Sequence, residues 1–282
     1  MGKPSTVTSN HYSQPNLSRL IDTALSEVRL LNQTLDHKLI SAIDQFHIGG
    51  LRATMDMIRL ANFMPQDLVL DIGCGIGGPS RTIASECNCK VTGVDLHLDY
   101  CKAARSISKS LGLGEQTHFI QANALNLPFE DRSYDAVWAQ HITMNISNKN
   151  ALWREFYRVL KPDGKLFMYE VTCNSDDKEK IKYPTPWASK SEDSFLENIH
   201  NYKESLNKSG FFIEQLQDVS SIAKSSIKSV TERIEQGGHQ RPGLEIVLGD
   251  RFSVMMENLL DSLNGNQLNV VRMIAAKSSS QP

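Results

Sequence analysis

Residues 68–78 read Leu-Val-Leu-Asp-Ile-Gly-Cys-Gly-Ile-Gly-Gly, and this stretch decides the fold. Its first three residues, Leu68 to Leu70, are wholly apolar, which is typical of a strand buried on both faces of a parallel sheet. The glycines that follow allow a tight turn and a close approach of a ligand to the backbone. A helical pattern comes next. The sequence therefore predicts a strand, a glycine-rich loop and a helix N-terminus with free N–H groups.

Strand-like and helix-like segments alternate after this stretch, which predicts an α/β fold with a doubly wound sheet. No short crossover connects the last two strand candidates, so we expect the final strand to run antiparallel at the edge of the sheet. Upstream of the first strand, apolar residues recur at helical spacing from Leu17 to Phe46, which predicts a helical cap, and a second helical pattern runs from Leu51 to Met64. The further strand candidates are 91–94, 117–120, 134–138, 165–171, 211–219 and 267–276.

The composition excludes several classes of protein. With 30 Lys and Arg against 32 Asp and Glu, the net charge is −2, so the chain lacks the basic excess of a dedicated nucleic-acid binder. An odd number of cysteines, 5, and the absence of a long apolar segment predict reduced thiols, no membrane span and a cytoplasmic location. Cys87, Cys89 and Cys74 have the wrong spacing for a zinc site, and we expect no metal.

Two acidic residues flank the glycine loop. Gly73, Gly75 and Gly78 satisfy the dinucleotide pattern G-x-G-x-x-G, so an oxidoreductase is an alternative at this point. Asp71, however, ends the first strand, where its carboxylate would repel a pyrophosphate and attract an ammonium group. Asp95 follows Gly75 by 20 residues, the distance at which an acid reaches the ribose hydroxyls of a nucleoside. Together the acids favour a cationic nucleoside, S-adenosylmethionine.

Four longer motifs carry a family resemblance from Leu68 to about Lys165. They read VLDIGCGIGGPSR, VTGVDL, HFIQANALNLPFEDRSYDAVWAQH and LWREFYRVLKPDGKL. In this order and spacing they resemble class I S-adenosylmethionine-dependent methyltransferases. Phe46-His47-Ile48-Gly49-Gly50 and the segment 140–145 are most similar to small-molecule enzymes of the sarcosine/dimethylglycine type and, more distantly, to sterol, tocopherol and sugar O-methyltransferases. The resemblance implies a seven-stranded, mostly parallel sheet with a reversed last strand, and S-adenosylhomocysteine as product.

The resemblance also implies roles for individual residues. Asn123 stands where the family usually has an aspartate that accepts a hydrogen bond from the adenine amino group. An amide oxygen accepts the same bond without charge assistance, so we expect somewhat weaker adenine binding. The residues implied to hold the cofactor are Asp71, Gly73 and Gly75 at the methionine part, Asp95 at the ribose, Leu96, Asn123 and Ala124 at the adenine, and Gln140 again at the methionine part.

The residues that follow the fourth and fifth strands are the candidates for chemistry. His141 lies at the carboxyl end of the strands, where ligands bind in such sheets, and it is the first candidate base; the alternative is a histidine that only orients the loop. Glu170 is predicted to orient a base or to pair with a cationic substrate, unless it is simply exposed. The predicted substrate contacts are His47, Met144, Tyr183 and Trp187. Of these, His47 is predicted to close over the cofactor, and Tyr183 and Trp187 are predicted to form an aromatic wall together with Trp138.

These expectations assemble into one predicted domain over residues 17–282 after a disordered tail, 1–16. It comprises a helical cap (17–50), a cofactor-binding core (51–172), a substrate-lid region with one strand (173–265) and a final edge strand (266–277). The predicted function is methyl transfer to an N, O or C nucleophile of a small molecule under the lid, in a possible homodimer. The alternatives are a catalytically silent cofactor-binding partner subunit, or a methyltransferase acting on a macromolecule.

Overall fold

The computed structural model describes residues 17–31, 36–174, 179–235 and 248–277. The tail predicted over residues 1–16 lies outside the described residues. The helices are α1 (Leu17–Leu31), α2 (Ser41–Asp44), α3 (Gly50–Ala61), α4 (Gly78–Cys87), α5 (Leu98–Ser110), α6 (Lys149–Val159), α7 (Ile199–Lys208), α8 (Ser220–Glu235) and α9 (Phe252–Asn264). The strands are β1 (Leu68–Ile72), β2 (Lys90–Asp95), β3 (Thr117–Gln121), β4 (Tyr134–Gln140), β5 (Leu160–Cys173), β6 (Phe211–Asp218) and β7 (Leu268–Lys277).

The strands form one 7-stranded sheet in the order β3-β2-β1-β4-β5-β7-β6. Strands β1 to β5 pair in parallel, whereas β7 runs antiparallel to both β5 and β6. This arrangement confirms the predicted doubly wound sheet with a reversed last strand.

The prediction that the last strand forms the edge of the sheet is wrong, because β7 lies between β5 and β6. Its side chains explain the position: Val270, Met273 and Ala275 are buried, so this strand is covered on both faces. Strand β6 forms the edge instead and carries the exposed Phe212.

Helices cover both faces of the sheet. On one face, α3, α4, α8 and α9 pack in a common core with Trp138 and Phe167, which Ile48 of the cap also joins. On the other, α6 and α7 pack against Val137 and Met168. Helix α1 packs its apolar residues against α5. The carboxyl ends of the parallel strands, where β1 and β4 leave the sheet, therefore lie beneath the cap.

Asparagine side chains cap the N-termini of α6 and α7. The Asn148 Oδ1 accepts a hydrogen bond from the Ala151 N–H at 3.0 Å and starts α6. The Asn198 Oδ1 accepts from the Asn201 N–H at 2.9 Å, so α7 begins at Ile199. Among the described residues, no helix is long and apolar enough to cross a membrane.

Candidate functional site

The glycine-rich loop leaves β1 in a left-handed backbone conformation. Gly73, Gly75 and Gly77 have φ values of +68°, +54° and +85°, which favour glycine. The Gly73 N–H donates a hydrogen bond of 2.8 Å to the carbonyl of Val94, and this bond fixes the loop against the end of β2. A Cβ at Gly73 would lie only 2.6 Å from Ile142 Cδ1, so the loop also touches the turn after β4.

The two acids predicted beside the loop lie where β1 and β2 end. The Asp95 carboxylate accepts hydrogen bonds from the Gly75 N–H at 3.0 Å and from the His97 N–H at 2.9 Å. Asp71 is buried and accepts a bond of 2.5 Å from the Ser80 hydroxyl. Burial, together with the nearby charge of Asp95, raises the pKa of Asp71 to about 7, although the hydrogen bond from Ser80 opposes the shift. Burial likewise raises the pKa of Asp95. Two carboxyl groups, those of Asp71 and Asp95, therefore lie beside the loop.

The residues predicted at an adenine ring lie together beyond β2 and β3. Gln121 at the end of β3 donates its amide N–H to the carbonyl of Leu96, at 3.0 Å. The Asn123 Oδ1 accepts the Leu125 N–H at 2.9 Å, which folds the chain back at this point. Since a carbonyl oxygen has two lone pairs, one remains for a ligand. Leu96, Asn123 and Ala124 are all half-buried.

The segment before α3 lies directly over the glycine loop. Asp44 of α2 and Arg81 of α4 form a buried ion pair of 2.7 Å. A Cβ at Gly78 would overlap the carbonyl oxygen of Asp44, and one at Gly75 would lie 3.1 Å from the Phe46 ring. The cap is thus fixed to the first turn of the helix that follows the loop.

Buried side-chain hydrogen bonds connect this cap to the end of β4. The Gln45 amide donates to the Thr82 hydroxyl at 3.1 Å, and the Gln45 carbonyl oxygen accepts from Thr54 at 2.8 Å. The Gln140 carbonyl oxygen accepts from the Trp138 indole N–H at 2.7 Å and lies 3.3 Å from the Thr54 hydroxyl. Within the described residues, the buried Nε2 of Gln140 has no partner. Gln140 therefore offers a free N–H donor beside the loop.

His47 is held as a neutral imidazole. Its Nε2 lies 3.1 Å from the carbonyl oxygen of Gly50 and 3.0 Å from the Thr54 hydroxyl. Because a carbonyl only accepts, we assign the proton to Nε2, which leaves the lone pair on Nδ1. Burial lowers the pKa of His47 to about 4, so the ring stays neutral at pH 7.

His141 occupies a strained position after β4. Its φ of +52° lies in the left-handed region, which costs a residue with a side chain about 1–3 kcal/mol. The ring stacks on Tyr169, with 5.2 Å between centroids and an interplanar angle of 3°, and His47 meets both rings edge-on at 6.1 Å. Burial lowers the pKa of His141 well below its usual value. Its Nε2 is buried without a partner among the described residues.

Glu170 supports the turn that carries His141. Its Oε1 accepts hydrogen bonds from the N–H groups of Ile142 at 3.1 Å and Thr143 at 3.3 Å. Because side chains alternate along β5, Glu170 lies on the face opposite Tyr169 and the two histidine rings. This geometry fits the prediction that Glu170 orients a base. It does not fit the prediction that Glu170 pairs with a cationic substrate, because the carboxylate lies on the other face of the sheet. Burial raises the pKa of Glu170 to about 7.

The predicted aromatic wall lies in the core instead of at the site. Trp138 packs against Phe167, with ring centroids 6.0 Å apart, and Trp187 is buried. Met144 is also buried, whereas Tyr183 is half-buried with a hydroxyl that lacks a partner in the described part of the chain. The rings that do meet beneath the cap are His47, His141 and Tyr169. We did not predict Tyr169, although it directly precedes Glu170 at the end of an apolar strand.

Comparison with known proteins assigns this architecture to a family. Residues 70–168 match the family model described as a methyltransferase domain. The chain contains a class I methyltransferase domain. This confirms the predicted family. "Methyltransferase GfsG" from Streptomyces halstedii is 29% identical to the chain over 181 residues, which make up 64% of this chain and 65% of that protein. The chain spans 36–37% of the length of other curated methyltransferases that it matches.

Two solved structures share the fold of this methyltransferase domain. Phosphoethanolamine N-methyltransferase 2 from Haemonchus contortus has a TM-score of 0.72 at 21% identity, covering 94% of this chain and 61% of that chain. A Galdieria sulphuraria protein, provisionally assigned as a sarcosine dimethylglycine methyltransferase, has a TM-score of 0.69 at 17% identity, covering 82% of this chain and 86% of that chain.

Proposed function

We propose that the chain transfers a methyl group from S-adenosylmethionine to an N, O or C nucleophile of a small molecule bound beneath the cap. The observation that carries this proposal is the pair Asp71 and Asp95 on either side of a glycine loop that has no basic side chain. Such a loop suits a cationic sulfonium ligand and disfavours a pyrophosphate. The Haemonchus contortus structures were solved with S-adenosylhomocysteine or S-adenosylmethionine, which supports the same cofactor.

The residues of the loop fit this cofactor. Asp95 has carboxylate lone pairs left for ribose hydroxyls after its two backbone bonds, and the unpartnered Gln140 Nε2 suits the carboxylate of the methionine part. We assign Leu96 and Asn123 to the adenine ring, because both are half-buried beyond the ends of β2 and β3. When bound, the cofactor supplies a methyl group on a positively charged sulfur.

The chain's own part in the reaction is to align the acceptor, exclude water and accept a proton where the nucleophile carries one. The cap contributes the first two, because it covers the loop with buried contacts. His47 and His141 are neutral, so they do not repel a sulfonium ion and each keeps a lone pair for a proton. His141 remains the first candidate base and His47 the second.

Three further predictions stay proposals. A net charge of −2 argues against a nucleic-acid acceptor. We retain the cytoplasmic location on the cysteine content alone. A homodimer through α1 has limited support, because α1 buries Leu17 and Ile21 against α5 of its own chain and exposes Leu20.

Calorimetry with S-adenosylhomocysteine tests the cofactor assignment. We expect the wild type to bind and Asp95→Ala to bind at least about tenfold more weakly, since the variant loses charge-assisted bonds to the ribose. Asp99→Ala is the matched control, because Asp99 is exposed in the first turn of α5 and pairs with the exposed Lys102. If the wild type fails to bind, or Asp95→Ala binds like Asp99→Ala, the assignment is wrong.

A further inference from the structure

A row of polar side chains crosses four neighbouring strands beneath the cap. Gln140 of β4 pairs with Tyr169 of β5, which pairs with Arg272 of β7. Arg272 in turn pairs with Gln217 of β6. Ile274, two residues after Arg272, packs in the core on the cap side, and side chains two residues apart share a face. The row therefore runs on the cap side of the sheet, from the cofactor loop to the edge strand.

Arg272 is the charged residue of this row, and it has no acidic partner among the described residues. Arg272 is half-buried, and its Nη2 donates to the Gln217 amide oxygen. Its Nε is buried without a partner, and no carboxylate of the described residues forms an ion pair with it. Asp56 on α3 is an acid that acts on the neighbouring Tyr169, but its carboxylate is paired with Arg59. A partly dehydrated guanidinium gains most from an anion that accepts two parallel hydrogen bonds, such as a carboxylate or a phosphate, and Arg272 is available for one.

Tyr169 joins this charge to the two histidines. Burial raises the pKa of the Tyr169 hydroxyl, while the charge of Arg272 lowers it and that of Asp56 raises it. The hydroxyl thus lies within the field of both charges, and the same ring stacks on His141. Because neighbouring strands lie about 4.8 Å apart, Arg272 is about 10 Å from the Gln140 strand.

We propose that Arg272, flanked by Gln217 and the Tyr169 hydroxyl, binds an anionic group of the methyl acceptor, a carboxylate or a phosphate. The inference rests on the proposed function and adds a substrate class to it. The acceptor is a small molecule with its nucleophile near His141 and its acid a few bonds away at Arg272. An uncharged or purely cationic acceptor leaves the guanidinium without a partner.

The test titrates the full chain with sodium phosphate and with sodium acetate by calorimetry, with and without S-adenosylhomocysteine. We expect at least one anion to bind the wild type and to bind Arg272→Gln at least about tenfold more weakly, as for the loss of a charge-assisted contact. Arg272→Lys keeps the charge and should retain part of the affinity. Asp56→Asn should bind the anion severalfold more tightly, because it removes an opposing charge. The exposed Arg154 of α6 provides the control, Arg154→Gln.

The outcomes separate this inference from the proposed function. Binding of phosphate but not acetate assigns a phosphate-bearing acceptor, and the reverse assigns a carboxylate. If neither anion binds the wild type, or Arg272→Gln matches Arg154→Gln, the inference is overturned even when S-adenosylhomocysteine binds normally. Should Arg272→Gln fail to fold, an anion affinity that is unchanged in Asp56→Asn overturns it. Failure of the wild type to bind S-adenosylhomocysteine counts against the cofactor assignment alone.

Discussion

Replacing Glu170 by glutamine tests how the turn that carries His141 is held. Glutamine keeps one carbonyl oxygen for the N–H groups of Ile142 and Thr143 and removes the ionisable proton. In the wild type, burial raises the pKa of Glu170 from 4.5 to about 7, and the hydrogen bonds from the turn and the charge of Lys149 only partly oppose this. The unfolded chain has no such burial, so the two states bind protons differently between these pH values.

The sign and size of the effect follow from this difference. Below pH 4.5 the residue is protonated in both states, and its contribution to stability is fully present. As the pH rises, the unfolded state ionises first, so that contribution is lost progressively until the pH passes about 7. A pKa difference of this size corresponds to about 3 kcal/mol. Glu170→Gln has no such loss, so its stability relative to the wild type should rise by about 3 kcal/mol between about pH 4.5 and pH 8.

Urea unfolding of both proteins at these two pH values, followed by circular dichroism, measures the change. Asp71 also titrates in this range, but it is present in both proteins and cancels from the difference. Glu204→Gln on the surface of α7 is the control and should change little. Glu170→Ala removes the acceptor oxygen as well, and it should be less stable than Glu170→Gln by about 1–3 kcal/mol at both pH values. A difference between Glu170→Gln and wild type that does not vary with pH would refute the reasoning.

Two other substitutions probe the backbone of the site. His141→Gly should be more stable than His141→Ala by about 1 kcal/mol in urea unfolding, because only glycine adopts the φ of +52° without strain; equal stability would mean that the turn relaxes in the alanine variant. Gly78→Ala should destabilise the protein by about 1–3 kcal/mol and weaken S-adenosylhomocysteine binding, because the new Cβ meets the Asp44 carbonyl. A Cβ at Gly114 would lie 3.9 Å from Lys109 Cα, an ordinary contact distance, so Gly114→Ala should stay within about 0.5 kcal/mol of wild type. Equal effects of Gly114→Ala and Gly78→Ala would contradict a specific role for the contact between Gly78 and Asp44.

The sequence was sufficient for the parallel part of the sheet, because helical patterns that force crossovers separate most of the buried strands there. It was insufficient for the order of β6 and β7. Both lie in antiparallel pairs, and chain order does not say which strand lies outside. Burial identifies the inner strand. Val270 and Ala275 lie on opposite faces of β7 and both are buried, whereas Phe212 of β6 is exposed.

The sequence was likewise sufficient for some residues of the candidate site and insufficient for others. Asp71 and Asp95 follow strand ends at a recognisable spacing, and the sequence was enough to predict that they flank the loop. Gln45 and Thr54 were missed, because a lone polar residue before or on an amphipathic helix usually faces solvent. Only the docking of the cap turns these side chains inward, where they meet Gln140. Arg272 was missed for a related reason, since its position in the sheet depends on the order of β6 and β7.

The groups that are unfavourable to bury collect at one edge of the sheet. Asp71 and Glu170 have pKa values raised to about 7, His141 has a strained backbone, and Gln140 has an unsatisfied amide. Each lowers the stability of the folded chain, and a positively charged ligand offsets the largest contributions, because a nearby cation favours the ionised form of Asp71. Binding of such a ligand therefore releases protons near neutral pH and stabilises the fold by linkage. The arrangement is unfavourable for the chain alone and becomes favourable with a cation at the loop, which is a physical reason for acids to lie where a sulfonium cofactor is proposed.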